Sequence, residues 1–248
     1  MTAQSMAYNA ITVGNVKMTS PYNLHSTSMY NTDGANLNAT FKPDVVAPGT
    51  YSSGRRGTSY STPIVTGAVA LLCDYQPVLK TRQFVVKAIL AASTNKDKQF
   101  ITTDTNNFKK YGAGLINIKS ALWVIWQGRY TSTGSVSSTS PTKTYNMTVN
   151  SSDTTMRVVL TYGNRIKYTS SNHSEASMPN GNIEELTLTV KTPSGSVISE
   201  AVGVVPYANL KVVQFDVANY GTGTYQIVVN LRNPEDAPGT TSFGVAWR

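Results

Sequence analysis

"GRRGTSYSTPIVTGAVALL", residues Gly54 to Leu72, decides how the rest of the chain is read. A hydroxyl-rich turn, Gly57-Thr58-Ser59, runs straight into an apolar segment with helical spacing, and Pro63 falls in its first turns. Two explanations compete. In one, Ser59 is an ordinary N-cap, a place where hydroxyl residues are common. In the other, Ser59 is a nucleophile set on the positive end of a helix dipole. The neighbouring segments have to choose between them.

Three helix-like segments lie in the first half. The first runs from about Ser59 to Tyr75 and stops before Pro77. The second, "TRQFVVKAILAAS", places Phe84, Val85, Ala88, Ile89 and Ala92 on one helical face, with Thr81 as its expected cap. The third, "NIKSALWVIWQG", is capped by Asn117 and stopped at Gly128. Two short strand-like runs, "AITVGNV" and "DVVAPG", come before them. Short apolar strands followed by helices predict part of an α/β layer fold.

Near residue 128 the pattern changes. "GRYTSTGSVSSTSPTKT" is rich in Ser and Thr and reads as a linker or an opening edge strand. Beyond it the hydrophobic period becomes two: "MRVVLTY", "ELTLTVKT", "VVQFDVANY", "TYQIVVNLR" and "SFGVAWR" read as strands, with turns at "TPSGS" and "NYGTGTY". The expected organisation is an α/β region over residues 1–128 and an antiparallel, jelly-roll-like β-sandwich over 129–248.

Composition removes several classes of function. The net charge is +8, but the cations are scattered, with only short pairs such as Arg55-Arg56 and Lys109-Lys110, so no nucleic-acid stripe forms. Arg55-Arg56 reads as a solvated turn. The single cysteine, Cys73, sits in "AVALLCDY" and reads as core packing. With two histidines, His25 and His173, no metal-type Cys/His cluster forms, and neither a metal nor a cofactor is expected. No run is long and apolar enough for a membrane helix, and the opening residues lack the pattern of an export signal.

The motif Gly57-Thr58-Ser59-Tyr60-Ser61-Thr62-Pro63 resembles the nucleophile segment of the subtilisin-like serine proteases, the subtilases. Three further segments match in the family's order: "NAITVGNV", "KPDVVAPG" (Lys42 to Gly49) and "YGAGLINIKSAL" (Tyr111 to Leu122). The resemblance covers roughly residues 7 to 126. It implies a partial parallel-sheet layer fold, peptide-bond hydrolysis through an acyl-enzyme, a polypeptide substrate, and an extracellular or cell-envelope setting. It also implies Ser59 as nucleophile, supported by Gly57, Thr58, Tyr60 and Pro63. The physics agrees. A serine hydroxyl attacks well only when a base takes its proton. The Ser59 amide at a helix start is suited to an oxyanion. Gly57 leaves backbone freedom and room, and an early Pro63 is expected to cost no intrahelical bond.

The same resemblance shows what these residues do not contain. A subtilase draws on Asp, His and Ser in that chain order. Only 58 residues precede Ser59; His25 lies in "NLHSTSMYN" rather than His-Gly-Thr, and Asp33 follows it. Asp44 matches a structural aspartate of the family. Asn9 lacks the Ala-Gly-Asn setting of the oxyanion asparagine. The expectation is a chain inactive alone, with Asp, His and Asn supplied by an upstream region: a cleaved N-terminal protease fragment, a separate gene product, or a preceding stretch of the same gene. The open edge of "AITVG" is expected to be covered by a separate N-terminal chain, by self-association with another copy, or by the β-domain. The competing expectation is a truncated pseudoprotease acting as a binding or structural module.

The C-terminal region resembles the β-sandwich appended to many secreted proteases, through its "V-x-TPSG" hairpin and "Y-GTGTYQIVV" strand. Glu184-Glu185 stands where some such domains bind calcium through Asn and Asp, so no calcium site is carried over. Glu184 and Glu185 read as solvated strand-entry charge, and His173 as a loop residue.

Overall fold

The computed structural model describes residues 9–30, 42–50, 54–95, 105–163, 186–198, 209–232 and 239–248. Asp33, His173, Glu184 and Glu185 lie outside them.

Strands β1 (Val13–Val16) and β2 (Val45–Pro48) pair in parallel, Val13 opposite Val45 and Val16 opposite Pro48. Both are buried runs of small and β-branched residues, the pattern of a strand covered on both faces. A bridge from Val46 to Leu115 extends this layer on the β2 side. On the other side, the chain itself closes part of the β1 edge. The His25 amide donates to the Asn15 carbonyl at 2.9 Å, and the Lys17 amide to Asn23 at 3.0 Å.

Helix α1 (Thr58–Tyr75) matches the expected span to within a residue. Helix α2 (Gln83–Ala92) follows a 3-10 turn over Pro77–Thr81. Thr81 is not its cap: the N-cap is Arg82, and the Thr81 hydroxyl donates back to the Val78 carbonyl. Helix α3 (Thr105–Tyr111) had no periodic signal. Helix α4 (Ile118–Trp126) is capped as expected, the Asn117 side chain accepting from the Ser120 amide at 3.0 Å.

The remaining strands form two four-stranded antiparallel sheets. One has the order β3-β10-β5-β8, with β3 (Gly134–Val136), β10 (Thr241–Trp247), β5 (Thr155–Tyr162) and β8 (Leu210–Asp216). The other has the order β4-β9-β6-β7, with β4 (Thr142–Val149), β9 (Gly223–Leu231), β6 (Leu186–Lys191) and β7 (Val197–Ile198). The Ser/Thr-rich stretch is thus an edge strand, β3, and not a free linker. The two sheets share one core, in which Val158, Leu160 and Val245 meet Leu188, Tyr225 and Ile227.

Helix α2 carries the main surprise. A one-sided helix was expected, yet Val85 to Ala92 are all buried. One side of α2 packs against α4 and the core that also holds β1 and β2, and the other lies on the outer face of the β10–β5 sheet. Val159, Leu210, Val212 and Ala246 therefore belong to the same core as Val85, Ile89, Val45 and Leu72. Strand β5 is buried on both faces for this reason. Close approach has a requirement at Gly244, where a Cβ would lie 2.5 Å from the Val85 backbone. The Thr161 hydroxyl ties the same surfaces, donating to the Phe84 carbonyl at 2.5 Å. The antiparallel unit is a wall of the α-helical layer, not a loose appendage.

Candidate active site

The site is built where the parallel strands end. Strand β2 finishes at Pro48, and Gly49 turns the chain outward. The loop returns through a bridge between Thr50 and Arg56, and the Gly57 amide donates to the Gly49 carbonyl at 2.8 Å. Helix α1 starts at once. Its N-cap is Gly57, with φ of 152°, which favours glycine, and no side chain caps it. Gly49 is equally constrained: a Cβ there would fall 2.3 Å from Ser61 Oγ and 2.5 Å from the Gly57 carbonyl.

Ser59 is therefore not a cap. It is the second helical residue, and it is exposed. Its amide is among the first four of the helix, which have no intrahelical acceptor. Ser59 Oγ makes no hydrogen bond among the described residues. Thr58 and Tyr60 flank it, both half-buried.

Pro63 departs from expectation. With the helix starting at Thr58, Pro63 lies beyond the first four amides. It leaves the Ser59 carbonyl without its i+4 donor, so the first turn holds by fewer bonds. The Tyr60 amide bonds the Gly57 carbonyl at 3.0 Å in a tighter turn.

A polar line that sequence reasoning missed runs below the serine. Ser61 Oγ donates to Asn15 Oδ1 at 3.3 Å, and Asn15 Nδ2 donates to Thr27 Oγ1 at 3.3 Å. His25 Nδ1 lies 2.9 Å from Thr27 Oγ1 and accepts from the Thr27 amide at 3.2 Å. The Asn15 amide donates to Ser28 Oγ at 2.9 Å. His25 is buried at 7% exposure and connects to Ser61, two residues past Ser59, rather than to Ser59. The sequence signal for this line was Asn15, a polar residue inside an otherwise apolar strand.

Asp44 sits at the opposite end of β2, at 1% exposure. Its carboxylate meets Lys42 Nζ at 2.7 Å and Lys87 Nζ at 2.8 Å, and accepts from the Thr12 amide at 2.7 Å. Those partners make it the anchor of β2, the structural role expected. Burial pushes the Lys87 ammonium down to about 8, against the raising effect of Asp44. Among the described residues no group of His, Cys, Asp and Glu is arranged to hold a metal ion.

Residues 1–114, a little under half of the chain, match the model of the subtilase family. No curated protein matches the chain. Among solved structures, the pre-peptidase C-terminal domain of a collagenase from Bacillus anthracis is 12% identical, covers 48% of this chain and 87% of its own, and has a TM-score of 0.32. The serine protease of Aeromonas sobria is 12% identical, with a TM-score of 0.34, and a complex of it with its chaperone gives the same values. It covers 96% of this chain, which spans 57% of the protease's own length.

Proposed function

We propose that the chain is the serine-bearing part of a subtilisin-like endopeptidase. Ser59 is the nucleophile of peptide-bond hydrolysis through an acyl-enzyme. Gly57 shapes the turn, and the Ser59 amide contributes to the oxyanion site. The Asp, the His and the oxyanion Asn come from outside these 248 residues, in a preceding stretch or a companion chain. The polypeptide substrate lies across both parts, in an extracellular or cell-envelope setting. No described helix is long and apolar enough to cross a membrane.

One observation carries this reading: Ser59 stands exposed in the first turn of α1, at the carboxyl end of β2, inside the motif Gly57 to Pro63. A second supports the incompleteness. The outward face of α1 and the turn after it is apolar and bare, with Ile64 42%, Leu71 52%, Tyr75 54% and Val78 42% exposed. Ile64, Leu71 and Tyr75 fall on one stripe of α1, beside the exposed polar residues Thr62, Thr66 and Asp74, and an apolar helix stripe is normally buried against another element.

A second function, a non-catalytic module, is favoured by His25, which engages Thr27, so that among the described residues no histidine serves Ser59 as a base. Labelling by a fluorophosphonate separates the two. The chain alone should label slowly, because Ser59 is then an ordinary hydroxyl. Supplied with a region bearing Asp-Thr-Gly, His-Gly-Thr and Ala-Gly-Asn, it should label at least about a thousandfold faster, and Ser59→Ala should not label. Rapid labelling of the chain alone overturns the incompleteness. Failure of the completed protein to label overturns Ser59 as nucleophile.

A further inference from the structure

Helix α2 begins at a cavity of about 270 Å³. Thr81 to Val85 line one side of it, and Thr133, Ser242 and Phe243 the other. It lies on the seam where α2 meets β10, and none of the residues Gly57 to Pro63 is among its described walls.

Arg82 brings a charge to this cavity that nothing answers. Among the described residues, two buried side-chain atoms lack a hydrogen bond, Asp44 Oδ1 and Arg82 Nε. Asp44 Oδ1 still faces Lys87 Nζ at 2.8 Å. The Arg82 side chain makes neither a hydrogen bond nor an ion pair among the described residues, and no Asp or Glu stands among those that line the cavity. An arginine keeps its charge at neutral pH. A buried donor left unmade costs the desolvation of that group in full.

Backbone donors gather at the same place. No side chain caps α2, and its first backbone bond runs from the Val86 amide to the Arg82 carbonyl at 3.0 Å. The amides of Gln83, Phe84 and Val85 come before that bond and have no intrahelical acceptor. They add partial positive charge. The Thr81 and Thr133 hydroxyls already donate, to the Val78 and Ser132 carbonyls, while that of Ser242 is uncommitted among the described residues.

The frame is fixed. The Val85 backbone lies close against Gly244, and Thr161 Oγ1 donates to the Phe84 carbonyl. Donors held this way lose little ordering entropy on binding. A carboxylate offers two oxygens, whereas a guanidinium, three amides and a hydroxyl from separate segments suit an anion with oxygens on every side. The volume equals about nine liquid waters at roughly 30 Å³ each. That leaves room beside such an anion for a small group lying on Phe84 and Phe243.

We propose that this cavity binds a tetrahedral oxyanion, a phosphate or sulfate group, against the Arg82 guanidinium and the first amides of α2. It needs neither Ser59 nor a completing region, so it stands or falls apart from the proposed activity.

Isothermal titration calorimetry of the full chain with sodium phosphate, sodium sulfate, phenyl phosphate and sodium acetate, at constant chloride, tests it. Phosphate or sulfate should bind one to one, and acetate at least about tenfold more weakly. Arg82→Gln should weaken binding at least about tenfold, the loss of a charge-assisted bond. Lys119→Gln removes the same charge from an exposed position on α4 and should leave binding unchanged. Tighter binding of phenyl phosphate than of phosphate assigns the site to an esterified group, and the reverse assigns it to the free ion. Arg82 has no partner to lose, so the urea midpoint of Arg82→Gln without added anion should not fall. Saturating phosphate should raise the midpoint of the parent and not that of the variant. Absence of both phosphate and sulfate binding overturns the proposal, as do equal binding by Arg82→Gln and an equal loss in Lys119→Gln. Acetate binding as tight as that of phosphate also overturns it, in favour of a carboxylate site.

Discussion

Arg157 reaches out of strand β5 and donates to the Ala113 carbonyl at 3.1 Å, in the segment that pairs with β2. The same side chain, at 0% exposure, donates to Thr94 Oγ1 and holds Gln214 Oε1 at 2.8 Å. Ala113 in turn donates its amide to the Asp44 carbonyl at 2.8 Å. A residue of the antiparallel unit is thus two bonds away from the strand that leads to Ser59.

Arg157→Met should therefore destabilise the whole chain. Its loss strips donors from buried acceptors, which costs about 2–4 kcal/mol. Urea unfolding followed by tryptophan fluorescence and by circular dichroism should show one coincident transition, shifted to lower denaturant in the variant. Two separate transitions would contradict a common core.

Gly244→Ala probes the same seam without touching a polar group. The added methyl meets the Val85 backbone, which cannot rotate away. Overpacking of this kind costs about 1–3 kcal/mol or more. Thermal unfolding checks it. Gly195→Ala gives the comparison, because its Cβ would meet open space and only the φ of 87° is strained.

Lys87 gives the pH dependence. Burial lowers its ammonium from 10.5 to about 8, so the unfolded chain binds this proton more tightly than the folded one. Stability should rise as pH climbs from about 8 to about 10.5, by no more than about 3 kcal/mol from this group. In Lys87→Met that rise should vanish, while Asp44 keeps Lys42. Denaturation midpoints at pH 7, 8, 9 and 10 for both proteins test the sign.

The bare face of α1 yields a prediction about behaviour in solution. Leu71→Glu should leave the unfolding midpoint of the isolated chain within about 0.5 kcal/mol, because the residue is half exposed. Light scattering and dye binding by the isolated chain should fall. The same variant should block rescue by the complementing region.

What was legible in the sequence followed from local rules. Helix α1 announced itself by its turn, its spacing and Pro77, and Asn117 by its position before an apolar run. Strands β5, β6, β8, β9 and β10 were all marked by alternation between turns. What was hidden depends on contacts across the chain. The burial of α2 on both sides arises from Val159 and Ala246, far away in sequence. The line from Ser61 through Asn15 to Thr27 joins three segments that no spacing rule connects. The place of Pro63 turned on where α1 begins, a boundary that periodicity leaves open by a residue or more.

The doubly covered helix α2 also bears on how this protein can be divided. A cut near Gly128 separates the chain on paper, but it frees neither piece. One fragment would carry Val86 and Ile89 into water, and the other Val212 and Ala246. Proteolysis there should leave a nicked protein whose two parts stay together. Any attempt to graft the antiparallel unit onto another protein would have to bring a helix with it.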